Sequence, residues 1–298
     1  MVKISSVRLA ERMPPQLWFV GSAVFHYLGP SFAVLLFSRV PVGGVAWLRI
    51  ISAGLVFSMW RRPWKVIGSI DRRTRLLIVA LGFVFATMNY TFYVAIERLP
   101  LGTVAAIEFV GPIALALAGS RTRRNLLALA LAATGVFLLT DVRFAGDPAA
   151  FAWAFANAAL FTLYIILAHA LARSDTATSP VDRLAAAMVV AAIVITPLGF
   201  VDAAPALLDG IALIGGIGVG VTSSVIPYAF DQMAMSRLSR ATYSLFTALL
   251  PATAVVVGVV VLTQIPQPIE AFAVALVIVG VLLHHEPDQA GSQRWQGR

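Results

Sequence analysis

Apolar residues fill this chain in ten blocks, roughly 17–37, 43–60, 76–97, 102–119, 125–140, 151–172, 183–201, 211–234, 241–262 and 269–284, joined by short polar connections. Each is near the ~20 residues that an α-helix needs to cross a hydrocarbon core. The pattern therefore predicts ten transmembrane helices, with the fifth and tenth blocks the shortest. The connections leave no room for an inserted soluble domain. The first block is too long for a signal-peptide core and no small-residue cleavage site follows it, so it is expected to stay as a helix. The polar tail from Glu286 to Arg298 is expected to be disordered.

Charge placement gives the orientation. Of the 22 Lys and Arg, all but Arg39, Arg49, Arg98 and Arg143 fall in the tails or in the even-numbered connections. Arg61, Arg62, Lys65, Arg72, Arg73 and Arg75 share one connection, and Arg121, Arg123 and Arg124 share another. By the positive-inside rule this puts both termini in the cytoplasm. The net charge of +8 is then a topological signal, so the expected partner is the lipid bilayer and nucleic acid is not expected. Composition agrees, with 59% hydrophobic and 12% charged residues where a soluble domain carries about 25% charged. The chain has no Cys, which removes disulfides, thiolate metal sites and cysteine nucleophiles together. No metal site and no cofactor is expected.

A repeat runs through the blocks. Arg98-Leu99…Thr103…Pro112 is echoed by Arg237-Leu238…Thr242…Pro251, and Gly135-Val136-Phe137-Leu138-Leu139 by Gly280-Val281-Leu282-Leu283. This divides the chain into a tail over 1–16, a first five-helix repeat over 17–145, a second over 146–285 and a tail over 286–298. An odd number of spans per repeat forces the halves into opposite orientations, with Arg98 at the outer surface and Arg237 at the inner one. The expected fold is thus all-α, ten transmembrane helices as two inverted five-helix repeats around a central cavity. Inverted repeats suit alternating access, because each half can adopt the other's conformation. The competing reading is a duplicated scaffold without transport.

Polar groups at membrane depth are costly and mark function by default. Arg49, Asn89 and Glu108 each lie about six to eight residues from an outer helix end, on the order of 9–12 Å deep. A buried Arg and Glu at one depth are expected to neutralise each other. Either they form a structural ion pair, or they meet the carboxylate and ammonium of a zwitterion. In a third reading Glu108 carries a coupling proton. Asn157 occupies a similar depth in the second half.

Prolines point the same way. A mid-helix proline frees the carbonyl four residues earlier, and in lipid that oxygen needs protein or water nearby. Pro30, Pro112, Pro197, Pro227 and Pro251 fall inside blocks, and their i−4 residues are His26, Glu108, Ile193, Ser223 and Thr247. Four of these are polar, as expected where helices line a wet cavity, although Ser and Thr also accompany proline simply to satisfy backbone groups. Pro30, Pro112, Pro227 and Pro251 are the candidate bends. Only the first copy of the repeat carries a carboxylate at this point, Glu108, where the second has the hydroxyl of Thr247. Tyr93 shares a face with Asn89, Ser224 and Tyr228 accompany Ser223, and Tyr164 lies mid-block; packing and ligand contact are both open for these aromatics. Trp18, Trp60 and Trp153 read as interfacial anchors. Gly215-Gly216-x-Gly218-x-Gly220 follows no strand and reads as a close-packing helix surface rather than a nucleotide loop. His284-His285 and His169 lie near inner helix ends and suggest no metal site.

Met88-Asn89-Tyr90-Thr91-Phe92-Tyr93, Pro100-Leu101-Gly102 and Glu108-Phe109-Val110-Gly111-Pro112 resemble the helix 3–4 signature of EamA-type exporters of the drug/metabolite transporter superfamily. The likeness is strongest to the threonine/homoserine exporter branch, which Ala46-Trp47-Leu48-Arg49, Ser223-Ser224-Val225-Ile226-Pro227-Tyr228 and Leu249-Leu250-Pro251-Ala252 also match. The architecture also fits aromatic amino-acid exporters of the YddG type. The resemblance covers nearly the whole chain. It implies ten helices in a 5+5 inverted repeat, a central cavity and export of amino acids or metabolites across the plasma membrane, the bacterial inner membrane. Phe25-His26-Tyr27 departs from the small and polar residues of the homoserine branch and admits larger, apolar amino acids.

The expected function is therefore export of amino acids or related small metabolites by alternating access. Its substrate-binding candidates are His26, Arg49, Asn89, Tyr93, Glu108, Asn157, Tyr164, Ser223, Ser224, Tyr228 and Thr247. A proton, carried by Glu108 or His26, is a candidate second partner. Two other classes compete. A membrane-embedded assembly or sensor subunit without flux leaves the midplane polar groups unexplained. An intramembrane enzyme has His26 and Glu108 as its one plausible acid–base pair and no supporting metal or carboxylate motif. No enzymatic activity is expected.

Overall fold

Helix starts in this chain are set by polar caps placed ahead of the apolar runs. Asp71 accepts from the Thr74 N–H at 3.2 Å and so starts a helix at Arg72, giving it a basic first turn before its lipid-length apolar stretch. Ser179 and Asp182 form a reciprocal capping box ahead of Pro180, satisfying two of the orphan donors of a helix N-terminus. Asp209 accepts from the N–H groups of Ile211 and Ala212. The hydrogen bonds from Thr74 hold the Asp71 carboxyl below its usual range, and the Ala212 N–H, with Arg39 adding to it, does the same for Asp209.

The structure, a computed structural model, describes residues 13–68, 70–99, 101–108, 111–112, 115, 122–139, 148–174, 178–239, 242–243, 246–247, 249–262 and 268–283. In chain order its main helices are α1 (Pro15–Leu36), α2 (Val42–Arg61), α3 (Arg72–Arg98), α4 (Leu101–Glu108), α5 (Arg123–Leu139), α6 (Pro148–Ala172) and α7 (Pro180–Ala203). After them come α8 (Gly210–Met235), α9 (Leu249–Leu262) and α10 (Pro268–Leu283). The run of α8 is interrupted by a π-helical turn at Val221–Val225. Among the described residues six helices are long and apolar enough to cross a membrane: α1, α2, α3, α6, α7 with its 3-10 extension to Leu208, and α8. Where ten full spans are expected, α4, α5, α9 and α10 are shorter among the described residues, at 8, 17, 14 and 16 residues. The tails, the residues Pro100, Phe109, Val110, Arg121 and Arg143, and the pair His284-His285 lie outside the described residues.

Apolar side chains such as Ile193 (69% exposed), Ile214 (73%) and Leu282 (74%) stay on the outside of the bundle. Water would not tolerate so wide an apolar surface on a monomer, whereas lipid does. Inside, the most extensive pairings are α2 with α7, α5 with α10, α3 with α6, α7 and α2, α8 with both α1 and α2, α1 with α9, and α4 with α6. Side chains tie the connections together at each end. Arg39 pairs with Asp209 at 3.2 Å, joining the α1–α2 turn to the start of α8. At the opposite end Arg61 meets Asp182 at 2.6 Å, Arg237 donates to the Met13 carbonyl and Arg124 to the Leu283 carbonyl.

Glycines on α8 set how closely it meets α2. A Cβ on Gly216 would come within 2.8 Å of Leu48, and one on Gly220 within 2.6 Å of the Ser52 Cβ and 2.7 Å of the Arg49 carbonyl. Only hydrogen fits there. The glycine cluster is thus a packing surface at Gly216 and Gly220, whereas a Cβ on Gly218 would meet nothing within 4 Å.

Candidate functional site

Because α2 lies so close to α8, the Arg49 side chain reaches the distorted turn of α8 directly. Its Nε donates to Ser224 Oγ at 2.8 Å and its Nη2 to the Ser223 carbonyl at 2.8 Å. That carbonyl lies four residues before Pro227, which has no N–H to offer it, and within the π-helical turn that widens the helix at the same point. Nη1 donates to the Tyr93 hydroxyl at 3.3 Å, the guanidinium lies 5.5 Å from the Tyr93 ring centre, and Tyr228 Oη stands 3.5 Å from Nη2. Arg49 is 4% exposed.

The expected neutralisation of Arg49 by Glu108 is not what the structure holds. Among the described residues the salt bridges are His26–Asp231, Arg39–Asp209 and Arg61–Asp182. Glu108, at the end of α4, instead accepts from Asn157 Nδ2 of α6 at 3.1 Å. The reason is geometric: hydroxyls and a freed carbonyl on α8 take up the guanidinium donors, and Glu108 faces them across a cavity. That cavity, of about 30 Å3, is lined by His26, Tyr27, Pro30, Arg49, Met88, Asn89, Phe92, Glu108, Asn157, Phe161, Tyr228 and Leu250. It has room for a water or two but not for an amino acid, since ligand pockets start on the order of 300 Å3. Substrate entry requires the helices to part.

Asn89 lines the cavity, and the remaining candidates stand behind it. Asn89 turns its amide to the carbonyl of Phe85 at 2.7 Å, with Tyr228 Oη 3.5 Å away. Ser223 faces α1, where a Cβ on Gly29 would fall 1.8 Å from its Oγ, so its backbone and not its hydroxyl meets Arg49. Tyr93, Tyr164, Ser224 and Thr247 are buried and do not line the cavity. Of the proline bends, Pro30 reaches the lining, and Pro112 is buried just beyond Glu108.

Sequence reasoning missed Asp231, which is 1% exposed in the C-terminal third of α8. Ser22 Oγ donates to its Oδ1 at 2.5 Å and Tyr164 Oη to its Oδ2 at 2.6 Å, and Tyr243 also hydrogen-bonds to it. His26 Nε2 stands 3.8 Å from Oδ2. His26 therefore pairs with Asp231 and not with Glu108. The second half thus holds a buried carboxylate of its own, on a different helix from the Glu108–Thr247 correspondence. The signal was present: Asp231 is an acidic residue inside the eighth apolar block, one turn beyond Pro227, and depth alone marks such a residue. His169, by contrast, serves the chain itself, with Nε2 3.1 Å from the Leu238 carbonyl.

Long apolar helices around a buried polar centre define a multi-pass integral membrane protein. Residues 148–284 match the EamA-like transporter family. The chain is 31% identical over 255 residues to the threonine/homoserine exporter RhtA of Escherichia coli K12, covering 84% of each. It is 32% identical over 255 residues, with the same coverage, to the protein of that name from Salmonella typhimurium LT2. A crystal structure 16% identical in sequence superimposes with a TM-score of 0.67, covering 90% of this chain and 95% of that one, and shares the fold. The chain belongs to the EamA-like transporter family.

Proposed function

We propose that this protein exports amino acids or related small metabolites across the plasma membrane by alternating access between two inverted five-helix repeats, residues 17–145 and 146–285, with both termini in the cytoplasm. The observation that carries this reading is the state of Arg49. It is a buried cation at the wall of a central cavity, held by hydroxyls and one carbonyl and by no carboxylate among the described residues. A substrate carboxylate would supply the missing counter-charge, and Glu108 with Asn157 across the cavity would receive the ammonium. Those two groups define an α-amino acid. The relatives' name gives threonine and homoserine as first candidates. Tyr27, Phe92 and Phe161 in the lining favour larger apolar side chains as well.

The helix pairings support the inverted repeat. Exchanging each helix with the one five further on leaves α2–α7 and α5–α10 unchanged. The same exchange turns α3–α6 into α8–α1, α3–α7 into α8–α2, and α1–α9 into α6–α4. Two halves related in this way can trade conformations, which is what alternating access needs. A sensor or assembly subunit, or an enzyme, gives no reason for a cation left waiting at the cavity wall.

The test is transport into proteoliposomes with a panel that sets aromatic against hydroxylated amino acids. Saturable flux is expected. Flux unaffected by Glu108→Gln together with Asn89→Ala would overturn the site assignment.

A further inference from the structure

Asp231 is a buried carboxylate that substrate recognition by Arg49 and Glu108 does not use. Its hydrogen-bond donors come from several places: Ser22 on α1, Tyr164 on α6 and Tyr243 just before α9. The charged and titratable groups around it are His26 of α1, Arg49 of α2 beyond Tyr228, and those two tyrosines; α7, which also packs on this part of α8, brings none to it among the described residues.

The hydrogens can be placed by elimination. Ser22 has one hydroxyl hydrogen, and its shortest contact gives it to Asp231. His26 Nδ1, 3.1 Å from Ser22 Oγ and 3.3 Å from the Ser22 carbonyl, then faces acceptors and must carry a hydrogen. In a neutral imidazole the other nitrogen is bare. That bare Nε2 stands 3.8 Å from Oδ2 of a carboxylate, so two acceptors face one another, and a small approach would let one proton bridge them.

We infer that Asp231 and His26 form a proton site, and that its filling and emptying couples proton movement to substrate passage. The proton comes from water on one face and returns to water on the other, so only an O–H or N–H bond is made and broken. Coupling arises because the donors sit on different helices. While α1, α6 and α8 stay together, hydroxyl hydrogen bonds support the ionised carboxylate. When they part, Ser22 and Tyr164 withdraw from Oδ1 and Oδ2 and leave those oxygens open to a proton. One residue further on, both amide atoms of the fully buried Gln232 lack partners among the described residues, as expected for a region that exchanges one set of contacts for another.

The inference rests on the transport reading above, and one experiment separates them. Wild-type protein is reconstituted with a pH-sensitive dye inside the vesicles, and counterflow of labelled substrate is measured in parallel. Substrate-driven proton movement is expected in the wild type. In Asp231→Asn it is expected to vanish while counterflow stays within about twofold of wild type, because exchange needs no net proton transfer. Tyr164→Phe, which keeps the ring packing, is expected to fold even if Asp231→Asn does not, and to move the pH profile of driven transport up by roughly one unit. Wild-type flux without proton movement, proton movement retained in Asp231→Asn, counterflow lost along with it in a folded variant, or an unmoved Tyr164→Phe profile would each overturn the proton site alone. No saturable wild-type flux at all would overturn the transport reading.

Discussion

Arg49 Nη2 donates at 2.8 Å to the carbonyl of Ser223, four residues before Pro227, which has no N–H to offer that oxygen. A helix distortion on α8 and a buried cation on α2 thus satisfy each other, which explains how a guanidinium persists at this depth with no carboxylate at salt-bridge distance among the described residues. The arrangement depends on the planar fork of arginine, since Nε, Nη1 and Nη2 address three different groups.

Arg49→Lys is therefore expected to reduce substrate flux by roughly tenfold or more, even though it keeps the charge, because an ammonium on a single stem cannot reproduce the fork. Arg49→Ala should be no better. Initial rates in proteoliposomes at matched protein content check this, and a lysine variant with wild-type kinetics would show that charge alone suffices.

The close approach of α8 to α2 separates two glycines on one helix. Gly220→Ala places a Cβ against the Arg49 carbonyl and Ser52 and is expected to cost about 1–3 kcal/mol, as overpacking does. Gly218→Ala meets open space and is expected to be neutral or to stabilise by up to ~1 kcal/mol through helix propensity. Thermal unfolding in detergent compares the two.

Because the chain has no native Cys, single cysteines report orientation directly. The exposed residues Ser38 and Lys65 lie in the first and second connections. With cytoplasmic termini, Ser38→Cys is expected to react with an impermeant maleimide on intact cells, and Lys65→Cys only after the membrane is opened. The reverse pattern would invert the topology.

Asp209 caps α8 and pairs with Arg39. Its carboxyl lies below the usual range, so its contribution to stability is fully present above the ordinary aspartate pKa of about 4 and fades as pH falls through the lower folded value. Asp209→Asn keeps the cap and loses the charge pair, so it is expected to melt above Asp209→Ala. It should also lack the wild type's extra loss of stability in acid. Melting curves at neutral and acidic pH read both effects.

Spans were legible in the sequence because lipid leaves the backbone no alternative to helix. The apolar blocks at 43–60, 151–172 and 211–234 lie within a few residues of α2, α6 and α8, and the differences at helix starts trace to caps such as Asp71 and Ser179 that hydropathy does not weigh. Depth was legible too: Arg49, Asn89, Glu108, Asn157, His26 and Tyr228 do meet at one cavity. Pairing was not, because it depends on how helices far apart in sequence rotate against one another. Arg49 and Glu108 share a depth but face different partners, and nothing local says that Ser22 and Tyr164 converge on Asp231 from residues 209 and 67 positions away.

The most direct measurement is competition for counterflow of labelled threonine in proteoliposomes, with unlabelled amino acids set beside their carboxamides. If Arg49 reads the substrate carboxylate, free amino acids compete saturably and the amides are weaker by roughly tenfold or more, as expected when a buried charge loses its partner. Amides that compete as well as the acids, or threonine and larger amino acids that show no saturable flux, would contradict it.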